Sequence, residues 1–430
     1  MNRSVTRYWL FGSSLLAALA ACSASGQDQT AVDANANDSA TEAQQATGPL
    51  AAASLVVSAI GEPFRGTLVA TTAEPDWAFQ FESADGPREV RADQLVTWGQ
   101  FVDPRDGVQV VLAGGDVLVV QRVKIENEQL VCTRPDNEPL ALPIGLVAGL
   151  ILQPAPDAAK GDRLLSRILS LVGQDDRVIL ENDDELTGTI STFDGESLQL
   201  KSEVGALRLA RGKLAAVIFN PILVNKPRPG GLRVLVGLKN GSRLTAISAH
   251  SDEGQIAIKL PGGIALDVPI ESIVALQPLG GRVVYLSDLE PAGYRHIPFL
   301  ELAWPSHRDR SVNGTLLRAG GALFLKGLGM HSPSRITYEL DQSYERFDAD
   351  VAVDGQTGQR GSVVFRVFVD DGSGAWQERA RSEIVRGGQP PTPLTVDVSG
   401  AKRISLLVDF ADWGDEQDHA DWLNARLVPQ

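Results

Sequence analysis

A chain of 430 residues is longer than one hydrophobic core ordinarily serves, so several domains are expected, and 43% hydrophobic residues supply the apolar surface to fill them. Thirty-nine basic against 54 acidic residues leave a formal net charge of -15, which repels phosphate backbones and anionic surfaces and excludes nucleic acid as the expected partner. A neutral ligand suits such a surface.

The chain opens as an export signal. Arg3 and Arg7 form a positive start, Trp9 to Leu19 a short apolar core, and Leu19-Ala20-Ala21-Cys22 a small-residue end. That tetrapeptide resembles a bacterial lipobox. The resemblance implies that Cys22 is acylated and that residues 1–22 are a lipoprotein signal, which makes the protein exported and lipid-anchored at the bacterial cell envelope. Ser23 suits outer-membrane sorting or a periplasm-facing position, and membrane contact is then through the lipid alone. An ordinary secretory peptide cut near Ala21 is the alternative. Residues 23–54 carry Ser, Ala, Gln, Asp, Asn and Thr with almost no large apolar side chain, too little burial to offset ordering entropy, so a disordered tether is expected. With Cys22 acylated only Cys132 remains, which leaves no intramolecular disulfide, and its alternating apolar context marks it as a small buried hydrophobe.

From about residue 56 to 280 short β-branched runs alternate with turn signals, the pattern of all-β architecture. An internal repeat is visible. One copy runs from Asp176-Arg177-Val178-Ile179-Leu180 to Leu214-Ala215-Ala216-Val217-Ile218, and a second from Arg233-Val234-Leu235-Val236 to Ile270 through Leu276. A degenerate third runs from Val108 to Leu152, and Phe64 to Trp98 is a poorer candidate for a fourth. Each copy predicts five short strands. Hairpin turns at Gly114-Gly115, Asn182-Asp183 and Asn240-Gly241 use residues that accept positive φ. Five bent strands are expected to close as a small barrel, and the pattern resembles an Sm-like or SH3-like barrel. Asp162 to Leu171 has helical spacing and is expected to cap the barrel that follows. These readings give a β-rich domain over 55–158, two barrel repeats over 159–280 and a further domain over 281–430. RNA is not expected on these barrels, because Arg208, Arg211 and Lys213 make too sparse a basic patch.

The last segment holds two clusters, Lys326-Gly327-Leu328-Gly329-Met330-His331-Ser332-Pro333-Ser334 and Asp418-His419-Ala420-Asp421-Trp422. A β-sandwich whose first and last strands lie side by side brings such clusters together. With Phe347, Val353-Asp354, Gly361 to Val367, Asp370 and Val396 to Ala401, they resemble the NPCBM family of carbohydrate-binding modules over about residues 283–430. The resemblance implies a galactose-binding-like jelly roll. The fold class expected for the whole chain is all-β, with small barrel-like repeats followed by a C-terminal jelly-roll β-sandwich.

Sugars are held by an aromatic face against their C–H surface and by planar polar groups on adjacent hydroxyls. The candidates for carbohydrate contact are Trp304, His331, Trp376, Trp413, Asp418, His419, Asp421 and Trp422. A buried core position is the competing reading for each Trp, least so for Trp376 and Trp413 in polar loops. A His donating to a facing Asp would pin the two strands together. No cofactor is expected beyond a structural Ca²⁺, for which Asp354, Asp415 and Asp418 are the candidate ligands, since galactose-binding-like folds often hold one. No nucleophile elbow, Walker A sequence or His-Glu-x-x-His occurs, so catalysis is not expected. The function expected is non-catalytic binding of a glycan or cell-surface polysaccharide. An envelope scaffold that contacts a protein partner through the jelly roll is the rival, and a glycan-processing enzyme ranks third.

Overall fold

The computed structural model describes residues 53–430 except Glu74, Asp76, Pro156, residues 299–302 and Trp413. The signal with Cys22, residues 23–52 and Trp413 lie outside the described residues. Nearly every alternating segment forms an antiparallel strand, and four successive segments share one plan. In the first, strands Ser54–Ser58, Phe64–Thr72, Ala78–Ser83 and Gly86–Arg91 pair in order, and Leu95–Gly99 returns to pair with Ser54–Ser58. The same order recurs from Val108–Leu112 to Val147–Ile151, from Asp176–Leu180 to Leu214–Ile218, and from Arg233–Leu238 to Ile273–Leu279, with the second strand broken in two at Gln121 in the second copy and at Ile247 in the fourth. The poorest copy by sequence is thus a complete one. Its centre is filled by Trp77, Phe79, Phe81 and Trp98, and the Trp98 indole donates to the Gly66 carbonyl at 2.9 Å. The hairpin turns hold Gly115, Asp183 and Gly241 at positive φ, as their residue types require.

The copies do not close. Among the described residues the fourth and fifth strands of a copy share no ladder, so each unit is a bent, open sheet. The fifth strand instead gives its outer edge to another copy. Leu95–Gly99 pairs with Ile273–Leu279, and Val147–Ile151 pairs with Leu214–Ile218, so copy one joins four and copy two joins three. Copies two and four meet where the Asp116 carboxylate accepts from Thr245 N–H at 2.9 Å and Thr245 Oγ1 at 2.6 Å. Edge pairing between copies covers the ladder groups that closure would have covered.

The one α-helix among the described residues, Ala158–Ser170, starts at Asp157, whose side chain accepts from Lys160 N–H at 2.7 Å. Leu165 and Ile168 on its inner face pack with Val111, Val119, Ala148, Ile179 and Ile218. It therefore covers the joint between copies two and three rather than capping one barrel. Cys132 is fully buried, and burial pushes its thiol up to about 12, as a hydrophobe in a strand requires.

Beyond Leu279 the chain forms a sandwich of two six-stranded antiparallel sheets, each with five strands in line and a short sixth paired off that line, Val284–Tyr285 on His419–Pro429 and Val385–Arg386 on Ser362–Asp370. One runs in the order His307–Arg308, Gly327–His331, His419–Pro429, Tyr344–Val353, Thr392–Asp397. The other runs Gly293–His296, Ser334–Glu339, Arg403–Phe410, Ser362–Asp370, Gln377–Arg381. Period-two alternation sends Phe347, Val351, Phe365, Val367, Leu406 and Trp422 into the space between them. The hairpin of Leu317–Ala319 and Ala322–Phe324 covers part of the outer face of the first sheet, over Ala352 and Leu423.

Sandwich and copies form one compact unit. Phe101, Ala275, Leu316 and Leu323 pack together across the junction. Gln277 of copy four donates to Tyr285 Oη at 3.1 Å and to Asn424 Oδ1 at 2.9 Å. Asn424 sits in a bulge with φ 49°, which turns its side chain toward the copies.

Candidate functional site

The two clusters singled out in the sequence lie side by side. Gly327–His331 pairs with His419–Pro429 so that His331 stands opposite His419 and Gly329 opposite Asp421. Gly329 is needed for close approach, because a Cβ there would stand 2.4 Å from the Arg310 carbonyl oxygen. The 310–312 backbone thereby crosses next to the strand and carries Asn313 to the histidines.

Around the end of this strand pair sits a cluster of rings. The Trp304 indole stacks on His331 with 5.0 Å between centroids and planes 5° apart, and it lies 5.4 Å from His419. His331 and His419 are 5.4 Å apart, and His296 meets the edge of His331 at 5.5 Å. Hydrogen bonds fix the tautomers. His331 Nδ1 faces the Ser332 carbonyl at 2.8 Å and must donate to it, so its Nε2 is an acceptor when the ring is neutral. Asn313 Nδ2 donates to His419 Nδ1 at 2.9 Å, so His419 Nε2 carries the hydrogen. Trp304 N–H donates to His296 Nδ1 at 3.1 Å, and His296 Nε2 donates to the Ser332 carbonyl at 3.2 Å. Among the described residues neither Nε2 of His331 nor that of His419 has a partner.

Burial disfavours the charged form of His331 and of His419. It lowers the His331 pKa and holds that of His419 down to about 4, with the neighbouring imidazole adding to the effect. A histidine NMR titration should therefore find the His419 midpoint near 4; a midpoint at the ordinary value of about 6.5 would contradict the buried, Asn313-paired ring. In stability terms the unfolded chain binds the extra proton first, so the contribution of His419 is present above about pH 6.5 and is lost as pH falls through 4.

The carboxylates of the motif lie beneath the site rather than in it. Asp418 is fully buried, accepts from Ser332 Oγ at 2.5 Å and from Ser362 N–H at 2.7 Å, and is pushed up to about 6 by burial. The expected His–Asp bond is thus replaced by a Ser–Asp bond, because His331 turns to the Ser332 carbonyl. Asp421 is fully buried under the Leu317–Ala319 hairpin, and Asp354 is 1% exposed. Burial and the facing Asp354 carboxyl push Asp421 far above the carboxylate range, and burial also raises Asp354, so the pair retains protons that the unfolded chain has lost. That part of stability falls as pH rises through the folded pKa values. Asp421→Asn, whose amide can donate to Asp354, should stabilise the protein by about 1–3 kcal/mol at pH 8 and less at pH 5 in urea unfolding. Equal effects at both pH values would contradict a shared proton.

Trp422 is not a surface residue. It is fully buried between the sheets, edge-on to Phe365 at 4.9 Å and to Phe347 at 6.1 Å. Trp376 is 37% exposed and lies under the Arg403 guanidinium at 5.1 Å. It stands beyond the Asp370 end of Ser362–Asp370, a strand about 26 Å long, whereas the Ser362 end adjoins Asp418, so Trp376 and the ring cluster occupy opposite ends of the sandwich. Asp415 is half-buried and its carbonyl accepts from Asp418 N–H, but Asp354 faces Asp421 and Asp418 faces Ser332, so the three do not form one donor set. Among the described residues no three His, Cys, Asp or Glu side chains are arranged to hold a metal ion. The sequence reading missed His296 and Asn313. Neither has patterned neighbours, and both arrive through chain crossings between strands.

The segment beyond Leu279 is thus a two-sheet antiparallel β-sandwich with rings and amides gathered at one end. Residues 282–428 match the model of the NPCBM/NEW2 domain, and this segment of the chain is an NPCBM domain. A curated relative from Renibacterium salmoninarum, named "Putative endo-alpha-N-acetylgalactosaminidase", is 30% identical over 116 residues, 27% of this chain and 7% of that protein. The chain thus spans a small part of that relative. The solved structure of CBM51-2 in complex with GlcNAc and INT domains from Clostridium perfringens ZmpB is 26% identical, covering 46% of this chain and 40% of that one, with TM-score 0.31. CBM51 from Clostridium perfringens GH95 in complex with methyl-galactose is 25% identical, covering 34% and 99%, with TM-score 0.30.

Proposed function

We propose that the protein binds a neutral glycan without processing it, through the ring cluster of Trp304, His331 and His419. The observation that carries this reading is the pair of open ring nitrogens beside an indole. His331 Nε2 accepts and His419 Nε2 donates, which matches two neighbouring hydroxyls, one giving and one taking a hydrogen bond. The half-buried Trp304 adds an apolar surface for a sugar's C–H face. Neutral rings in a protein of net charge -15 favour an uncharged ligand over an anionic one. Asp418, Asp421 and Asp354, the carboxylates under the cluster, are buried and hold one another or Ser332, out of reach of a glycosidic bond. The lipobox-like Leu19-Ala20-Ala21-Cys22 supports display of this site at a bacterial cell envelope.

Calorimetric titration of the whole chain with N-acetylglucosamine, methyl galactoside and a panel of neutral monosaccharides tests the reading. Millimolar to micromolar binding of one or more is expected, about -4 to -8 kcal/mol. His419→Ala should weaken it at least tenfold. Unchanged affinity in that variant, or no binding by the wild type, would overturn the assignment.

A further inference from the structure

A large cavity lies away from the ring cluster. It is a wedge of about 1010 Å³ where the outer face of the first sandwich sheet looks across at copy one of the repeat. The ring cluster sits at His419, the start of the His419–Pro429 strand; Arg426, in the wedge, is seven residues further along, about 23 Å away. The two are separate places on one strand. The wedge closes at its base through the Gln277 to Asn424 hydrogen bond and the Phe101 to Leu323 bridge.

Its polar groups are arranged with open valences. Asp348 is fully used: Arg346 Nε donates to both its oxygens at 3.0 Å, Thr395 Oγ1 donates at 3.0 Å and Arg426 Nη2 at 3.4 Å. Because Arg346 spends only its Nε, the two terminal NH₂ groups of its 37% exposed side chain stay open. Asp350, two residues on and therefore on the same face, has no hydrogen-bond partner among the described residues. The wedge thus offers a free donor fork and a free acceptor about 13 Å apart along one strand, with Leu55, Phe324 and Pro393 supplying apolar wall. Its charges balance, with Arg65, Arg346 and Arg426 against Glu62, Asp348 and Asp350.

We infer that this wedge is a second ligand site, for a neutral oligosaccharide of more than one sugar. Three features select that class. Balanced charge gives no preference for a polyanion or polycation. Hydroxyls both donate and accept, so a sugar chain can satisfy Arg346 and Asp350 together, while its C–H faces meet the apolar wall. An extended peptide has no ladder to join, because Tyr344–Val353 and Ser54–Ser58 each already pair on both sides. The volume lies at the upper end of the range for small-ligand pockets. This site does not depend on the ring cluster, and the two fail separately.

The test uses the full chain on an array of neutral oligosaccharides of two to six sugars, in the Trp304→Ala background so that the ring cluster is silenced. Residual oligosaccharide binding is expected, and it should fall at least tenfold when Asp350→Asn or Arg346→Ala is added. Asp350→Asn is nearly isosteric and, unlike Arg346→Ala, leaves the Asp348 ion pairs in place, so it serves if the arginine variant misfolds. Loss of all oligosaccharide binding with Trp304→Ala alone would overturn the second site, as would residual binding that ignores both wedge substitutions or capture of extended peptides in place of glycans. Single-sugar binding untouched by Trp304→Ala would instead count against the ring cluster.

Discussion

Arg318→Ala should destabilise the protein by about 3–5 kcal/mol, the cost of leaving buried charges without their partner. Arg318 stands in the hairpin over the sandwich, 15% exposed, and its guanidinium reaches both carboxylate oxygens of Asp162 on the helix and Asp103 Oδ2 at 2.6 Å. Asp162 also accepts from Leu316 N–H at 2.9 Å, and Arg243 of copy four approaches Asp103 at 3.7 Å. One guanidinium thus ties the helix, the segment after copy one and the sandwich into a single block. Removing it leaves buried Asp162 without a cation and Asp103 with only the more distant Arg243 and Arg105, at 3.7 and 4.0 Å. Urea unfolding of the whole chain measures the loss. A change under about 1 kcal/mol would mean that solvent reaches the network and that it holds nothing together. The apolar double variant is informative as well: replacing Arg318 with Met and Asp162 with Leu together should recover part of the loss, because a matched apolar pair leaves one fewer buried charge than the single variant.

The second large effect is on binding. Trp304→Ala should weaken single-sugar affinity by about thirtyfold or more, since truncating a central aromatic contact ordinarily costs 2 kcal/mol or above. The same change removes the stack that holds His331 in place, so its loss acts on both the apolar surface and the acceptor. Trp304→Phe should recover part of the affinity, because a smaller ring retains a face. Stability should move little by comparison, for Trp304 is half-buried and belongs to none of the main cores. Trp376→Ala, at the other end of the sandwich, should leave single-sugar binding unchanged.

The sandwich and the meeting of its two motif clusters were legible because they rest on local signals: alternation, turn glycines and two ends of sequence that fit one strand pair. The first copy was obscured by its composition, with aromatic Trp77, Phe79 and Phe81 where the later copies use aliphatic residues. Barrel closure was misread for a different reason. Alternation in Leu95–Gly99 is the same whether its free edge pairs within the copy or with Ile273–Leu279, so sequence cannot choose between them. Trp422 illustrates the limit at the site. The motif Asp418-His419-Ala420-Asp421-Trp422 looks uniformly polar and aromatic, but period two sends Trp422 into the core while His419 faces out. His296 and Asn313 were invisible because each reaches the rings by tertiary crossing, one through the pairing of Gly293–His296 with Ser334–Glu339, the other through the close approach that Gly329 permits.

The central claim is that a neutral sugar sits against Trp304 between His331 and His419. Side-chain NMR of the whole chain, following the Trp indole and His imidazole signals during titration with N-acetylglucosamine and methyl galactoside, tests it most directly. The predicted result is saturable shifts confined to Trp304, His331, His419 and His296, with the Trp376 and Trp422 indoles still. Saturable shifts at Trp376 with the histidines unmoved, or no shift with any neutral sugar, would contradict it.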